Sequence, residues 1–203
     1  SFGPAMAARA RGIPVFIHEA NRAVGKAVRF LAKRSNRLYL PEGMLLDGIS
    51  PEVIRNIGYP LRKEFRRIPK ERARKQLGVS LNEKLLVVIG GSQGAVSLNR
   101  WVKDNLENLA SEGISAYCLT GMKNESSGVV QLEGMGGQIV TSRFVSFTDD
   151  MNEVLSAADL VISRAGAGAI AEIVRCRIPS ILIPYPHAAD NHQFLNAEFL
   201  ERK

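Results

Sequence analysis

The spacing of apolar and polar positions divides the chain into two kinds of segment. Short aliphatic runs alternate with longer stretches in which apolar residues recur every three to four positions. The clearest junction is Leu85-Leu86-Val87-Val88-Ile89 followed by Gly90-Gly91-Ser92-Gln93-Gly94, with a helical pattern over 95–110. An unbroken aliphatic run of this length predicts a strand buried on both faces, as in a parallel sheet. The glycines let the chain turn tightly and approach a ligand, and Ser92 is placed to cap the helix. Unpaired N–H groups and the dipole at that helix start predict an anion site, with a phosphate or pyrophosphate as its guest. The stretch is neither a Walker sequence nor a full Gly-x-Gly-x-x-Gly.

The same alternation runs through the chain. A helix with Pro4 in its first turn ends at Gly12, and Ile13-Pro14-Val15-Phe16-Ile17 predicts a short strand. A helix follows over 22–34, then strands at 37–40 and 53–57. Gly58-Tyr59-Pro60-Leu61-Arg62 breaks the pattern, and a domain boundary is expected there, separating 1–59 from 60–203. Beyond it a charged helix ends near Gly78. Strands are expected at 84–90, 114–119, 139–145, 160–163 and 181–184, and helices near 95–110, 151, 165–175 and 191–201. The glycine-rich segment around Gly134, Gly136 and Gly137 reads as helix or loop. Strands alternating with helices predict an α/β fold with a mostly parallel sheet and right-handed crossovers.

Composition fits a water-soluble globular protein, with 45% apolar and 23% charged residues in 203. No apolar run approaches the ~20 residues of a membrane span. Cys118 and Cys176 are too few for a disulfide framework and are expected to be reduced and buried. The chain starts without Met and stops in a helical pattern, which reads as a fragment. The net charge of +7 is uneven. Residues 1–37 hold eight cations against Glu19 alone, while the remaining 19 cations and 19 anions balance. An anionic partner is expected at the N-terminal end. Arg22, Lys26, Arg29 and Lys33 share one face of the predicted helix over 22–34. Two readings stay open: a basic amphipathic helix on an anionic membrane surface, or an ordinary solvated face. Aromatic residues are not interleaved with the cations, which argues against nucleic acid.

Open parallel sheets bind ligands at the carboxyl ends of their strands. Three loops fall there: Gly90 to Gly94; Arg164-Ala165-Gly166-Ala167-Gly168-Ala169, with Glu172 in the helix that follows; and His187 to Gln193. The second is built of small residues after Arg164, so a ligand can lie against its backbone. Glu172 can accept hydrogen bonds from ribose hydroxyls or simply support the helix start. Asp190, Asn191, His192 and Gln193 suit a hydroxyl-rich ligand or a helix cap. His18 and His192 lack partners at metal-ligand spacing, so no metal or cofactor is expected. No Gly-x-Ser-x-Gly elbow or Cys/His pair points to covalent catalysis. Asp149-Asp150 reads as a catalytic pair or, more simply, as a helix start.

Five motifs occur in order: His18-Glu19-Ala20-Asn21; Gly58-Tyr59-Pro60-Leu61-Arg62; Gly90-Gly91-Ser92-Gln93-Gly94-Ala95; Arg164-Ala165-Gly166-Ala167 with Glu172; and Pro184 through Asn191-His192-Gln193 to Asn196-Ala197. Together they resemble the MurG family. Its members transfer N-acetylglucosamine from its UDP ester to an undecaprenyl-pyrophosphoryl-muramoyl-pentapeptide. The resemblance implies a GT-B fold of two Rossmann-like domains. Residues 1–59 would be the tail of the acceptor domain and 60–203 the donor-binding domain. It implies donor contacts at Asn21, Arg62, Gly91, Ser92, Gln93, Gly94, Thr148, Arg164, Ala167, Gly168, Glu172, His192 and Gln193. Among these, Ser92 and its glycines would meet the diphosphate, Glu172 the ribose, Gln193 the sugar hydroxyls and the Thr148 backbone the uracil.

The family's amino-terminal glycine-rich loop, its histidine and the last helices are not in this sequence. The catalytic base is therefore unassigned, and the chain is expected to bind donor without turnover. The implied reaction is direct displacement with inversion. The implied place is the cytoplasmic face of the bacterial inner membrane, with Arg22, Lys26, Arg29 and Lys33 toward an anionic surface. A UDP-N-acetylglucosamine 2-epimerase, another UDP-sugar glycolipid transferase and a non-catalytic nucleotide-binding protein are the alternatives.

Overall fold

The structure, a computed structural model, describes residues 2–63, 65–91, 95–122 and 127–202. In chain order its elements are α1 (Phe2–Ala10), β1 (Phe16–His18), α2 (Lys26–Ala32), β2 (Arg37–Leu40), β3 (Ile54–Asn56), α3 (Lys70–Leu77) and β4 (Lys84–Ile89). There follow α4 (Val96–Asp104), α5 (Leu106–Ser111), β5 (Ile114–Leu119), β6 (Gly128–Glu133), β7 (Ile139–Val145), α6 (Met151–Ala157), β8 (Leu160–Ser163), α7 (Ala167–Cys176), β9 (Ser180–Leu182), a 3-10 turn at Ala189–Asn191 and α8 (His192–Glu201). The chain divides into two compact units. The first comprises Ser1–Pro60, Gly166–Gly168 and Pro184–Lys203, and the second Leu61–Ala165 and Ala169–Ile183.

In the second unit the described strands run in the order β6-β7-β5-β4-β8-β9. All neighbours are parallel except β6 and β7. The aliphatic run at β4 is central, and its alternate side chains enter two cores. Leu85, Val87 and Ile89 pack with Val161, Val154, Leu155 and Ile173 on one face. Leu86 and Val88 pack with Leu98, Val102, Cys118 and Ile162 on the other. Burial on both faces is why this strand reads as continuous rather than alternating.

At the amino ends of these strands Arg74 is only 1% exposed. Its guanidinium donates to the carbonyls of Ser80, Leu81, Glu83 and Ala157 and to Asp159 Oδ2 at 2.6 Å. Asp159 also takes the Leu85 N–H at 2.7 Å and pairs with Lys70. Burial alone would push the Asp159 carboxyl up, but the Leu85 N–H, Lys70 and Arg74 together hold it below the ordinary value.

In the first unit β1-β2-β3 form a parallel sheet. Its core is Val24, Ala32, Leu38, Leu40, Leu46 and Ile54. Residues 184–203, expected to complete the second domain, group with this unit instead. Hydrogen bonds from α8 lie within this grouping: Asn196 Oδ1 accepts the Arg22 N–H at 2.9 Å, and Asn196 Nδ2 donates to Asn21 Oδ1 at 3.1 Å.

Three further expectations change. The helix expected over 22–34 is confined to Lys26–Ala32, because residues 19–25 wrap around the Glu19 carboxylate, which accepts the Asn21 and Gly25 N–H groups. The helix over 95–110 is two helices. At Asn105 the backbone leaves the helical region, with φ −113° and ψ 10°, while its N–H and its side-chain amide both donate to the Trp101 carbonyl, at 3.1 and 2.9 Å. The segment before the Gly134–Gly137 turn is a strand, β6, paired antiparallel with β7. It is an edge strand with mostly exposed side chains, so it lacks the aliphatic signature of its neighbours.

Candidate functional site

In the second unit the parallel strands β4, β5, β7, β8 and β9 end on one edge, where their loops gather. Gly91, just past β4, has φ +84°, and nothing lies within 4 Å of where a Cβ would sit. Glycine is needed there for its backbone conformation rather than for space. Ser92, Gln93 and Gly94 lie outside the described residues. The helix beyond them, α4, begins at Val96 with Ala95 at its N-cap, and the capping role expected of Ser92 lies outside the described residues.

Arg164 follows β8 and turns into the unit. Its Nη1 donates to the Ile183 carbonyl at 3.2 Å and its Nη2 to Ser97 Oγ at 2.8 Å. It thereby ties the ends of β8 and β9 to the first turn of α4. Buried Asn99 does the same for β5, donating to the Thr120 carbonyl at 2.9 Å. The Thr148 hydroxyl accepts the Asp150 N–H at 3.0 Å and hydrogen-bonds the Tyr117 phenol. Burial raises the Tyr117 pKa, the Asp150 carboxylate raises it further, and Arg143 and this bond offset part of the rise. Asp150 is the N-cap of α6.

Glu172 sits in the second turn of α7, half-buried. Burial raises its pKa, and the positive charge of Arg62 opposes the rise. Arg62 also lines a cavity of about 270 Å³ with Phe65, Asp149, Asp150, Asn152 and Glu153. This unit therefore offers a glycine turn before a nine-residue helix, an arginine, and a carboxylate reluctant to ionise.

In the first unit Asn21 is half-buried just past β1. Its Nδ2 donates to Glu19 Oε1 at 3.3 Å, and its own N–H goes to the same oxygen at 3.0 Å. Gln193, near the start of α8, accepts the Tyr185 N–H on Oε1 at 2.9 Å. That bond assigns the amide oxygen to Tyr185 and leaves the Gln193 NH₂ as the donor end. His192 bonds the Ala189 carbonyl through Nδ1 at 2.7 Å, and Asp190 and Asn191 both adopt left-handed backbone. A Cβ on Gly168 would come within 3.3 Å of the Tyr59 hydroxyl, so that glycine serves close packing. Ala167, beside it, opens α7.

Of the four cations expected on one helical face, Arg22 is not on the helix. Its guanidinium lies 3.4 Å over the Phe199 ring and donates to the Glu42 carbonyl. Burial lowers its pKa, and Glu42 offsets part of that. Lys26, Arg29 and Lys33 remain on α2 or at its C-cap and are exposed. Arg22, Lys26 and Arg29 line a cavity of about 570 Å³ with Met44, Leu46 and Asp47. Both cysteines are buried and free, and burial pushes the Cys118 thiol up to about 11 despite the opposing charge of Lys103. Among the described residues no group of three or more His, Cys, Asp or Glu is placed to hold a metal ion.

Residues 85–203 match the glycosyltransferase family 28 C-terminal domain. The chain belongs to glycosyltransferase family 28. Among curated relatives, the UDP-N-acetylglucosamine--N-acetylmuramyl-(pentapeptide) pyrophosphoryl-undecaprenol N-acetylglucosamine transferase of Opitutus terrae is 50% identical over 195 residues, 96% of this chain and 52% of that protein. The enzyme of the same name from Sorangium cellulosum is 40% identical over 203 residues, 98% of this chain and 48% of that protein. The chain thus spans about half the length of these relatives. Among solved structures, Acinetobacter baumannii MurG matches with a TM-score of 0.64 at 24% identity, over 98% of this chain and 53% of that one. A Streptomyces glycosyltransferase, SsfS6, complexed with thymidine diphosphate matches with a TM-score of 0.56 at 14% identity, over 98% of this chain and 52% of that one. The fold is that of the GT-B glycosyltransferases, as the family resemblance implied.

Within this family-28 chain, Asn99 and the hydrogen-bonding roles of Glu19 and Asn196, which the sequence placed only within motifs, emerge from the structure. Asn196 had a signal, since it lies three residues after Gln193 on the same helical face, and a buried polar residue there needs a partner.

Proposed function

We propose that the chain is the donor-binding part of an inverting transferase. The enzyme moves N-acetylglucosamine from UDP-N-acetylglucosamine to undecaprenyl-pyrophosphoryl-N-acetylmuramoyl-pentapeptide in peptidoglycan synthesis. The observation that carries this is the 50% identity, across 96% of the chain, to a relative named for that transfer. The site chemistry supports it. In the second unit, the Gly91 turn and the N–H groups at the start of α4 suit a diphosphate. Arg62 supplies a positive charge, and Glu172 suits paired ribose hydroxyls. In the first unit, the NH₂ of Gln193 suits sugar hydroxyl oxygens, and Asn21 offers an amide for the donor.

In the reaction the acceptor hydroxyl oxygen attacks the anomeric carbon as a base takes its proton. The bond from that carbon to the diphosphate oxygen breaks, and UDP leaves with the electron pair. Arg62 and the α4 N-terminus stabilise the charge that develops on it. UDP-N-acetylglucosamine is a substrate, and no cofactor is invoked. We place the enzyme at the cytoplasmic face of the inner membrane, held peripherally by Lys26, Arg29 and Lys33. Exposed Phe30, whose ring lies tilted against that of Phe2 with centroids 5.2 Å apart, lies among these cations. No helix among the described residues is long and apolar enough to cross a membrane.

The test is a transfer assay on the chain extended to the length of its relatives, with lipid acceptor in anionic or zwitterionic vesicles. Expected is β-linked disaccharide-lipid, formed faster on anionic vesicles, with that preference reduced by Lys26→Glu, Arg29→Glu and Lys33→Glu together. Release of free sugar and UDP without acceptor would instead identify a 2-epimerase.

A further inference from the structure

We infer that Asn196 is a positioning residue that locks the orientation of the Asn21 amide, an inference that rests on the donor-binding role proposed for Asn21. Four groups form a chain of hydrogen bonds in the first unit. The Arg22 N–H donates to Asn196 Oδ1 at 2.9 Å, Asn196 Nδ2 donates to Asn21 Oδ1 at 3.1 Å, and Asn21 Nδ2 donates to Glu19 Oε1 at 3.3 Å.

The polarity of this chain is fixed at both ends. A backbone N–H can only donate, and an ionised carboxylate can only accept. With its oxygen committed to the Arg22 N–H, Asn196 must offer its NH₂ to Asn21. With Glu19 at the other end, Asn21 must offer its own NH₂ there. Flipping either amide would set oxygen against oxygen or NH₂ against NH₂. The lock is inside the protein, since Asn196 is only 6% exposed. A buried amide link of this kind is costly to break and tends to specify one arrangement. Asn21 is half-buried, so its second Nδ2 hydrogen and second Oδ1 lone pair meet a ligand in one fixed sense. The residue that sets this sense lies on α8, 175 positions away in sequence, beside Gln193.

Two substitutions separate the contacts. Asn196→Ala removes both. Asn196→Asp keeps an acceptor for the Arg22 N–H, which holds the backbone, but cannot donate to Asn21. The extended chain is titrated with UDP-N-acetylglucosamine and with UDP, and the side-chain NH₂ signals of Asn21 are followed by NMR in protein labelled with ¹⁵N-asparagine. Expected is a fall of about fivefold or more in UDP-N-acetylglucosamine affinity for Asn196→Asp. Asn21→Ala should be at least as weak, and Asn21→Ala combined with Asn196→Asp no weaker than Asn21→Ala alone. The two NH₂ proton shifts of Asn21 should converge toward solvent-averaged values in Asn196→Asp.

Multiplicative losses in the double variant, or unchanged Asn21 signals in Asn196→Asp, overturn the inference. If the unsubstituted chain fails to bind UDP-N-acetylglucosamine, the proposed function fails, and the NMR result still decides whether the lock exists.

Discussion

Glu172 pairs a functional carboxylate with a costly environment. Burial pushes its pKa above the ordinary 4.5, and Arg62 returns only part of the difference. As an acceptor for ribose hydroxyls it must be ionised, so acid should weaken donor binding at a pH where an exposed glutamate would still be charged. Glu172→Gln should remove that step from a pH series of UDP affinities. The effect on stability has the opposite sense. A carboxyl whose folded pKa is raised destabilises the fold when ionised, above that pKa, and not below the unfolded value. Glu172→Gln should therefore raise the melting temperature at pH 7 and lose the advantage below about pH 4. Equal melting temperatures at both pH values would contradict this. The sequence made Glu172 legible, because a carboxylate early in a helix after a run of small residues has a local signature. Its shifted pKa was not legible, because the burial that raises it is set by tertiary packing rather than by neighbours in sequence.

At the scale of elements, one ionic knot fastens α3 to β4 and β8. Arg74 is buried with its carbonyl partners, and Asp159 supplies its counter-charge. Removing one partner of a buried pair costs about 3–5 kcal/mol, and less where the partner is partly exposed. Asp159 is 40% exposed, so Asp159→Asn should cost about 2 kcal/mol in chemical denaturation. Because the folded pKa of Asp159 is lowered, its contribution is present above the unfolded carboxyl value and fades as pH falls through the folded one. A cost unchanged at pH 2 would contradict this origin.

The strands of this unit were legible because β4, β5 and β8 are buried on both faces, β4 and β8 reading as aliphatic runs and β5 as a mostly apolar one broken by Ser115. β6 was not, because an edge strand with mostly exposed side chains carries no such run. The helix over 95–110 hid its break because Asn105 alone leaves the helical backbone region while the apolar pattern runs on through it.

At the scale of the molecule, the chain changes units between Pro60 and Leu61, where Gly58-Tyr59-Pro60 interrupts the periodicity. The return of residues 184–203 to the first unit has no local signal. It includes hydrogen bonds between residues 174 and 175 positions apart. The charge excess lies wholly in residues 1–37 of the first unit, and the balanced remainder includes the whole of the second.

The most direct test of donor binding is a calorimetric titration of the chain, extended to the length of its relatives, with UDP-N-acetylglucosamine, UDP-glucose and UDP at one fixed salt concentration. The account predicts tightest binding of UDP-N-acetylglucosamine, weakened about tenfold or more by Gln193→Ala or Glu172→Ala, with the loss for Gln193→Ala absent when UDP is the ligand. Equal affinity for all three ligands, unaffected by either substitution, would contradict it.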